Sequence, residues 1–304
     1  MPKLSIVITT KNRKQDLLEC IDSITKSTFK DREIIIVDDV STDGTEKLRS
    51  EDFNEMNVRI YHQEKPLMMV KARNFGAQKA TGRYVLFIDD DNVIDEKMIE
   101  HLVEAADFNV EYGILGPAMF YFDTKEKYLD YQTFNFYSGR TRGLMDHSSR
   151  KLVDSDGVPN VFLIKREVFE RLGHFDEKLI QTFTEPDFAF AVRSAYKCGI
   201  VKDAITYHKI SKTKNARSFG GKFSQKAYCL MRNRTVLVAR YGSWIQKLVY
   251  IACFSWLWPI VYSIFMLKER QFRLIKLYVH GFKDGIIYFF TKKFVNSLPN
   301  ILTK

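Results

Sequence analysis

Cysteine is scarce: four residues in 304, Cys20, Cys198, Cys229 and Cys253, all far apart. No CxxC and no Cys/His spacing occurs, which argues against a zinc-binding module and against a disulfide framework. A reducing, cytosolic setting is expected. Low-complexity tracts and fixed-period repeats are missing too, which excludes solenoids and long disordered arms. The opening stretch LSIVITT lacks the longer apolar core and cleavage site of a signal peptide. The most informative shortage is of acid. None occurs between Asp203 and Glu269, and residues 204–304 hold 18 Lys+Arg against 2 Asp+Glu, a net of +16. Residues 1–203 hold 29 against 35, a net of −6. A slightly acidic body therefore carries a very basic C-terminal third, a face that suits polyanions such as lipid head groups, phosphates or nucleic acid.

What is present in the first half alternates. Leu4–Thr9, Glu33–Val37, Val58–Tyr61 and Tyr84–Ile88 read as short apolar strands. Lys14–Thr25 places Leu17, Leu18, Ile21 and Ile24 at helical spacing, and Met69–Lys79 is a helix stopped at Thr81-Gly82. Asp43 is expected to start a short helix, with Glu46 at capping-box distance. This order implies a mostly parallel sheet with helices on both faces, and ligands bind beyond the C-terminal strand ends of such sheets. Three of those ends are polar: TTKNR, VDDVSTDGT and DDDN. Further on, Tyr128 to Arg150 reads as an irregular substrate loop. Glu167–Leu172 is a helix closed by Gly173, and EPDFAFAVRSAYKCG a helix ended by Gly199. Ile200–Tyr207 reads as a last strand leading to His208, and Ser224–Tyr241 as a basic helix.

The run YVLFIDDDNVID crowds Asp89, Asp90 and Asp91 at one strand end. Like charges so placed oppose folding unless something positive offsets them. A hard divalent cation prefers carboxylate oxygens. A solvated loop capping the helix expected over Asp95 to Asp107 is the alternative.

The motifs SIVITTKNR, IIIVDDVSTDGT, KARNFGAQKATGRYVLFIDDDN and VFLIKREVFERLGHFDEKL with EPDFAFAVR occur in an order that resembles family 2 of the GT-A glycosyltransferases, over roughly the first two-thirds of the chain. The resemblance implies a GT-A (Rossmann-like) α/β fold, a mostly parallel sheet with helices on both faces, here followed by a C-terminal helical membrane-associated region. It also implies inverting transfer from a nucleotide-diphosphate sugar, with Mg2+ or Mn2+ as cofactor. Residues 1–110 then form the nucleotide-sugar-binding half, 111–215 the acceptor and catalytic half of the same domain, and 216–304 a basic, apolar helical region for membrane attachment.

Within the resemblance, Asp89 and Asp91 match the outer positions of the DxD motif, Asp91 as direct metal ligand and Asp89 holding ribose, metal or water. Asp90 is the variable middle position. Asp38 is implied at the nucleobase edge, with Asp39 bracing its loop. Thr9 and Arg13 match the first nucleotide-facing loop, and Lys71 and Arg73 are placed to offset diphosphate charge or contact the base. His208 matches a histidine that reaches the metal or diphosphate. An attacking hydroxyl needs a general base. The family has an acid pair at a helix start; this chain has Thr184-Glu185-Pro186-Asp187, which leaves Glu185 and Asp187 as candidates, Glu185 favoured. Arg217 to Lys226, with Gly220 and Gly221, reads as a basic loop closing over the donor.

Leu248–Leu267 is long enough to span a bilayer. Trp256 and Trp258 near its centre, Pro259, and basic flanks on both sides (Lys247; Lys268, Arg270, Arg273 and Lys276) instead favour a monotopic or shallow re-entrant attachment at the cytoplasmic face. A true span and a buried helical hairpin are the alternatives. The following QFRLIKLYVHGFKDGIIYFFTKKF mixes aromatics and cations like an interfacial helix. A transferase so held meets a lipid-linked acceptor, either a lipid-linked sugar or a polyprenyl phosphate. Two rival classes fare worse. Nucleotidyl transfer would want a glycine-rich loop after the first strand, and TTKNRK has none. Nucleic-acid binding would leave the triple aspartate without a purpose, so no nucleic-acid partner is expected.

Overall fold

A computed structural model describes residues 2–53, 55, 57–210 and 224–295. The chain divides into two compact units. The first comprises Met1–Thr133, Gly143–Asp176 and Phe188–Ile210; the second comprises Phe134–Arg142, Glu177–Asp187 and Ser211–Lys304. The second unit thus takes in two short segments, one of them carrying Glu185 and Asp187, that the sequence alone assigned to the α/β region.

In chain order the elements are β1 (Leu4–Thr10), α1 (Lys14–Thr25), β2 (Arg32–Asp38), β3 (Val58–His62), α2 (Met68–Gln78), β4 (Tyr84–Asp89), β5 (Asn92–Ile94), α3 (Met98–Phe108), β6 (Tyr112–Tyr121), β7 (Lys127–Leu129), β8 (Tyr131–Asn135), β9 (Arg140–Leu144), β10 (Leu152–Asp154), β11 (Val161–Lys165), α4 (Arg166–Leu172), α5 (Thr184–Val192) and β12 (Lys197–His208). The main sheet has ten strands in the order β10-β12-β6-β11-β4-β1-β2-β3, with β5 paired to β12 and β7 to β6. Strands β3, β2, β1 and β4 are mutually parallel, as the alternating pattern implies; β11 runs antiparallel between β4 and β6.

The central strands β1, β2 and β4 are buried along nearly their whole length, because both faces are covered. Ile6, Ile8, Ile34, Ile36, Leu86 and Ile88 fill one core, while Val7, Ile35, Val37, Val85 and Phe87 fill the other. Each such Ile or Leu contributes about 1.5–3 kcal/mol by burial. Gly76 lets α2 lie directly on β1: a Cβ there would sit 2.4 Å from Val7 Cγ1.

Three expectations are corrected here. No α-helix starts at Asp43; the segment makes only short 3-10 turns at Thr45–Lys47 and Ser50–Asp52. Gly44 is left-handed (φ +96°), and the Asp43 carboxylate accepts from Lys14 N and from Thr45 N and Oγ1. Tyr128 to Arg150 is not irregular throughout, since β7, β8 and β9 fall in it. The helix from Glu185 stops at Val192 instead of Gly199. Gly199 lies inside β12, where a Cβ would meet the Tyr112 ring at 2.6 Å, so the glycine serves strand packing.

The second unit holds α6 (Ser224–Tyr241), α7 (Trp244–Val249), a π-helical turn at Tyr250–Phe254, α8 (Leu257–Lys268) and α9 (Phe272–Thr291). Ala227, Tyr228 and Met231 pack with Met266, Leu274, Leu277 and Tyr278. Helices α6 and α9 touch backbone to backbone: a Cβ on Gly281 would lie 2.2 Å from Tyr228 O. Arg234 stacks 3.7 Å above the Trp258 ring and lies beside Phe183 and Tyr262. Trp244–Lys268 is long and apolar enough to cross a membrane by length and composition. Few of its residues are buried, and Leu248, Trp256, Ile260 and Ile264 are exposed, unlike those of a buried hairpin.

Candidate active site

The site forms where β1, β2 and β4 end. Strand pairing sets Thr9 opposite both Val37 and Asp89, and Thr10 opposite Asp38. Asn92 Nδ2 donates to Asp89 O (3.0 Å), and Lys209 N donates to Asp91 O (2.9 Å). The aspartate turn is therefore tied to the residue after His208, and His208 itself pairs with Asn92 across β5 and β12.

The three carboxylates each meet a cation. Arg73, almost fully buried on α2, donates from Nη2 to Asp89 Oδ1 at 2.5 Å. Arg13 Nη1 bridges Asp90 Oδ1 (2.9 Å) and Asp91 Oδ2 (2.7 Å). His208 Nε2 is 3.4 Å from Asp91 Oδ1. Burial would raise the Asp91 carboxyl, but the His208 contact and the Arg13 charge outweigh it and hold Asp91 well below the usual carboxylate range. Asp90 behaves oppositely. Burial pushes it up to about 7 against the pull of Arg13, helped by the neighbouring Asp91 charge. It also accepts from Thr10 Oγ1 at 2.8 Å. The middle aspartate is thus a buried brace for the first loop.

Asp91 Oδ1 and His208 Nε2 form a mixed oxygen and imidazole donor pair. Two ligands about 2.0–2.1 Å from one Mg2+-sized ion, at right angles, lie roughly 3 Å apart, so the pair fits one divalent cation. Among the described residues no group of three or more His, Cys, Asp or Glu can hold a metal. A two-ligand site matches cations that keep water and substrate phosphates in their other positions.

Asp38 is fully buried; its Oδ1 accepts from Ser41 N (3.1 Å) and its Oδ2 faces His62 Nδ1 (2.9 Å). A nucleobase N–H would have to compete with one of these partners. Asp39 accepts from Leu67 N and Met68 N, bracing the entry to α2. Lys71 is exposed on α2, on a different face from Arg73. In the second unit, Glu185 is half-buried and accepts from Thr184 Oγ1 (2.9 Å). Asp187 is buried in a two-pronged ion pair with Arg240 (2.9 and 2.9 Å), and its backbone carbonyl accepts from Tyr241 OH. The donor loop expected over Arg217 to Lys226 lies outside the described residues up to position 223.

Sequence reasoning passed over Thr10, Asn92, Tyr128 and Asn160. Asn160 Nδ2 is 3.5 Å from Asp91 Oδ1 and 3.4 Å from His208 Nε2. Asn92, next to the triple aspartate, and Thr10, beside Thr9, lay within the quoted motifs. Nothing local marks Tyr128 or Asn160.

The model of the family described as "Glycosyl transferase family 2" matches residues 5–173, more than half of the chain. The glycosyltransferase GlyG of Streptococcus pneumoniae serotype 4 is 28% identical over 179 residues, 57% of this chain and 59% of that protein. The match thus spans less than two thirds of that relative. Among solved structures, Staphylococcus aureus TarS in complex with UDP-GlcNAc superposes with a TM-score of 0.58 at 17% identity, covering 83% of this chain and 73% of that one. The mannosyltransferase PcManGT of Pyrobaculum calidifontis, in complex with GDP-Man and Mn2+, gives 0.57 at 14% identity, with 94% and 87% covered. These likenesses show a shared GT-A fold, and with the family match over the strands that carry the aspartates, the chain belongs to glycosyltransferase family 2.

Proposed function

We propose that the chain transfers a sugar, with inversion, from a nucleotide-diphosphate sugar to a lipid-linked sugar at the cytoplasmic face of a membrane, with Mg2+ or Mn2+. The observation that carries this reading is the Asp91–His208 donor pair at the end of β4, flanked by Arg13 and Arg73. That relatives of the same fold were crystallised with UDP-GlcNAc, or with GDP-Man and Mn2+, supports it.

In the reaction the acceptor oxygen forms a bond to the anomeric carbon as the bond to the β-phosphate oxygen breaks. Glu185 takes the acceptor proton, and the bonding electrons leave with the nucleoside diphosphate. Asp91 and His208 would hold a divalent cation, which when bound would supply Lewis-acid stabilisation of the charge that builds on the diphosphate. Arg13 and Arg73 add positive charge near the same oxygens, Lys71 stands apart from them on the exposed face of α2, and Asp89 orients ribose or water. Thr9 and the Asp38 loop line the nucleoside. Asp90 keeps the first loop in place through Thr10 and Arg13. Asp187, already paired with Arg240, positions the helix that starts beside Glu185.

A second reading, transfer to a polyprenyl phosphate, is favoured by one observation. Arg234 is buried; its Nη2 donates to Tyr262 OH (3.2 Å), while its Nε and Nη1 groups have no hydrogen-bond partner among the described residues. A buried cation left this way is costly, and a phosphate would satisfy it. An acceptor screen of lipid-linked sugars against polyprenyl phosphate, repeated on Arg234→Gln, separates the two.

The reading is tested by thermal shift with nucleoside diphosphates, with and without manganese. Ligand at about 100 times its dissociation constant stabilises by about 2.7 kcal/mol. A metal-dependent rise with one nucleotide is expected; an unmoved melting temperature with all of them sinks the proposal.

A further inference from the structure

His208 has a partner on its other side. Tyr128 Oη lies 3.0 Å from His208 Nδ1, on a residue 80 positions away in the chain. Tyr128 sits on the short strand β7, which is paired to the end of β6. Its ring packs against Tyr121, tilted by 36° at 4.6 Å between centroids, and Tyr121 N donates to Glu126 O (2.9 Å), closing the turn that carries β7. The hydroxyl is thereby held by its ring and by its backbone before it meets the imidazole.

A ring nitrogen that gives its lone pair to a cation leaves the proton on the other nitrogen, and that N–H needs an acceptor. Here the nitrogen facing Asp91 is Nε2, so the N–H needing an acceptor is Nδ1, and Tyr128 Oη is the atom in reach. When Nε2–H donates to Asp91 instead, Nδ1 becomes the lone-pair atom. The same hydroxyl then turns and donates to it. A phenol can do both, whereas a carboxylate or a backbone carbonyl at this position would accept only.

The geometry points to Tyr128 as the positioning residue for His208: it fixes the ring with Nε2 toward Asp91 and accepts a hydrogen bond from Nδ1–H when Nε2 binds a divalent cation. This rests on the metal-dependent reading proposed above. Tyr128 would not touch donor or acceptor; it would act only through the imidazole.

The test is manganese binding by the full chain in the presence of UDP, read from the EPR signal of free Mn2+, for the wild type, Tyr128→Phe and His208→Gln. Tyr128→Phe removes one oxygen and keeps the ring against Tyr121. It should weaken manganese binding by about 10–100-fold, the usual effect of removing a partner of a metal-binding histidine. His208→Gln should weaken it at least as much. The melting temperature of metal-free Tyr128→Phe should match the wild type, which separates positioning from loss of fold. As a second readout, the imidazole 15N shifts of His208 in the Mg2+ and UDP complex should report Nδ1–H in the wild type and lose that signature in Tyr128→Phe. If His208→Gln weakens manganese binding while Tyr128→Phe binds like the wild type, Tyr128 has no such role. If His208→Gln itself binds like the wild type, the metal reading underneath fails, and the inference with it.

Discussion

In the α/β unit, buried and half-buried charges meet opposite charges: Asp89 with Arg73, Asp90 and Asp91 with Arg13, and Glu55 with Arg32. In the helical unit, cations find other company. Arg232 donates to the backbone carbonyls of Lys178 and Leu179, Arg234 stacks on Trp258, and Lys292 donates to Ala239 O. Of its acids, Asp187 is held by Arg240 and Asp284 accepts from Tyr228 OH. The first arrangement sets each of these carboxylates against a cation, so its buried charge is balanced within the fold. The second carries surplus positive charge beside exposed apolar side chains, the combination that an anionic membrane surface complements.

If the balance around β4 serves a leaving diphosphate, the largest effect should come from Asp91→Asn. Loss of one charge-stabilising group at a reacting centre costs about 10²–10³ in kcat. The folded protein should persist, because Asn keeps the side-chain volume. Steady-state kinetics with a thermal melt as control would check this. A variant that still transfers at wild-type rate removes the central role of the β4 end.

The acid pair of the helical unit should separate by readout. Asp187→Asn leaves Arg240 partly buried and without its carboxylate, and breaking such a pair costs about 2–4 kcal/mol once its partial exposure is discounted. Its loss is expected in urea denaturation. Glu185→Gln should instead melt like the wild type and lose roughly 10²-fold or more in turnover. An Asp187 variant of full stability and no activity would reverse the two roles.

These contrasts bear on what the sequence made legible. The four parallel strands and α1 were readable because each is built on an apolar run or a clean helical stripe, and the grouping of polar residues at the ends of β1, β2 and β4 because they fall in contiguous motifs. What stayed hidden depends on residues distant in the chain. Thr10 meets Asp90, Tyr128 meets His208 and Arg240 meets Asp187 only after the sheet and helices are assembled. The end of α5 was misjudged because Gly199 looks like a helix stop, yet it makes room for Tyr112 in a strand. In the helical unit, composition foretold a basic, apolar surface but not that Gly281 marks the contact of α6 with α9.

That contact offers a smaller, more local test. Gly281→Ala would push a methyl group against Tyr228 O, a backbone atom fixed in α6, so the helices must part. Overpacking of this kind costs about 1–3 kcal/mol. Gly76→Ala in the α/β unit meets Val7 Cγ1 at 2.4 Å and Val37 Cγ2 at 3.2 Å, buried β-branched side chains with little freedom to turn, so a comparable loss is expected there. A much smaller loss at either site in urea melts would mean that its contact relaxes.

The smallest effect on stability, and the sharpest on location, is expected on the exposed face of α8. Ile264 is 51% exposed, and substitution at such a surface site usually changes stability by no more than about 0.5 kcal/mol. Ile264→Glu should therefore melt like the wild type. If the face rests in the acyl boundary of an anionic membrane, the same change places a carboxylate in hydrocarbon beside negative head groups, and both the apolar and the electrostatic contributions oppose binding. Flotation with phosphatidylcholine vesicles, with and without phosphatidylglycerol, measures this. The wild type should float best with phosphatidylglycerol present, and Ile264→Glu should stay with the soluble fraction. Deleting residues from Trp244 onward should abolish flotation as well. Because the deletion also removes α9 and its contact with α6, the point substitution is the decisive arm: if Ile264→Glu floats like the wild type, the exposed apolar face is not what holds the protein to lipid.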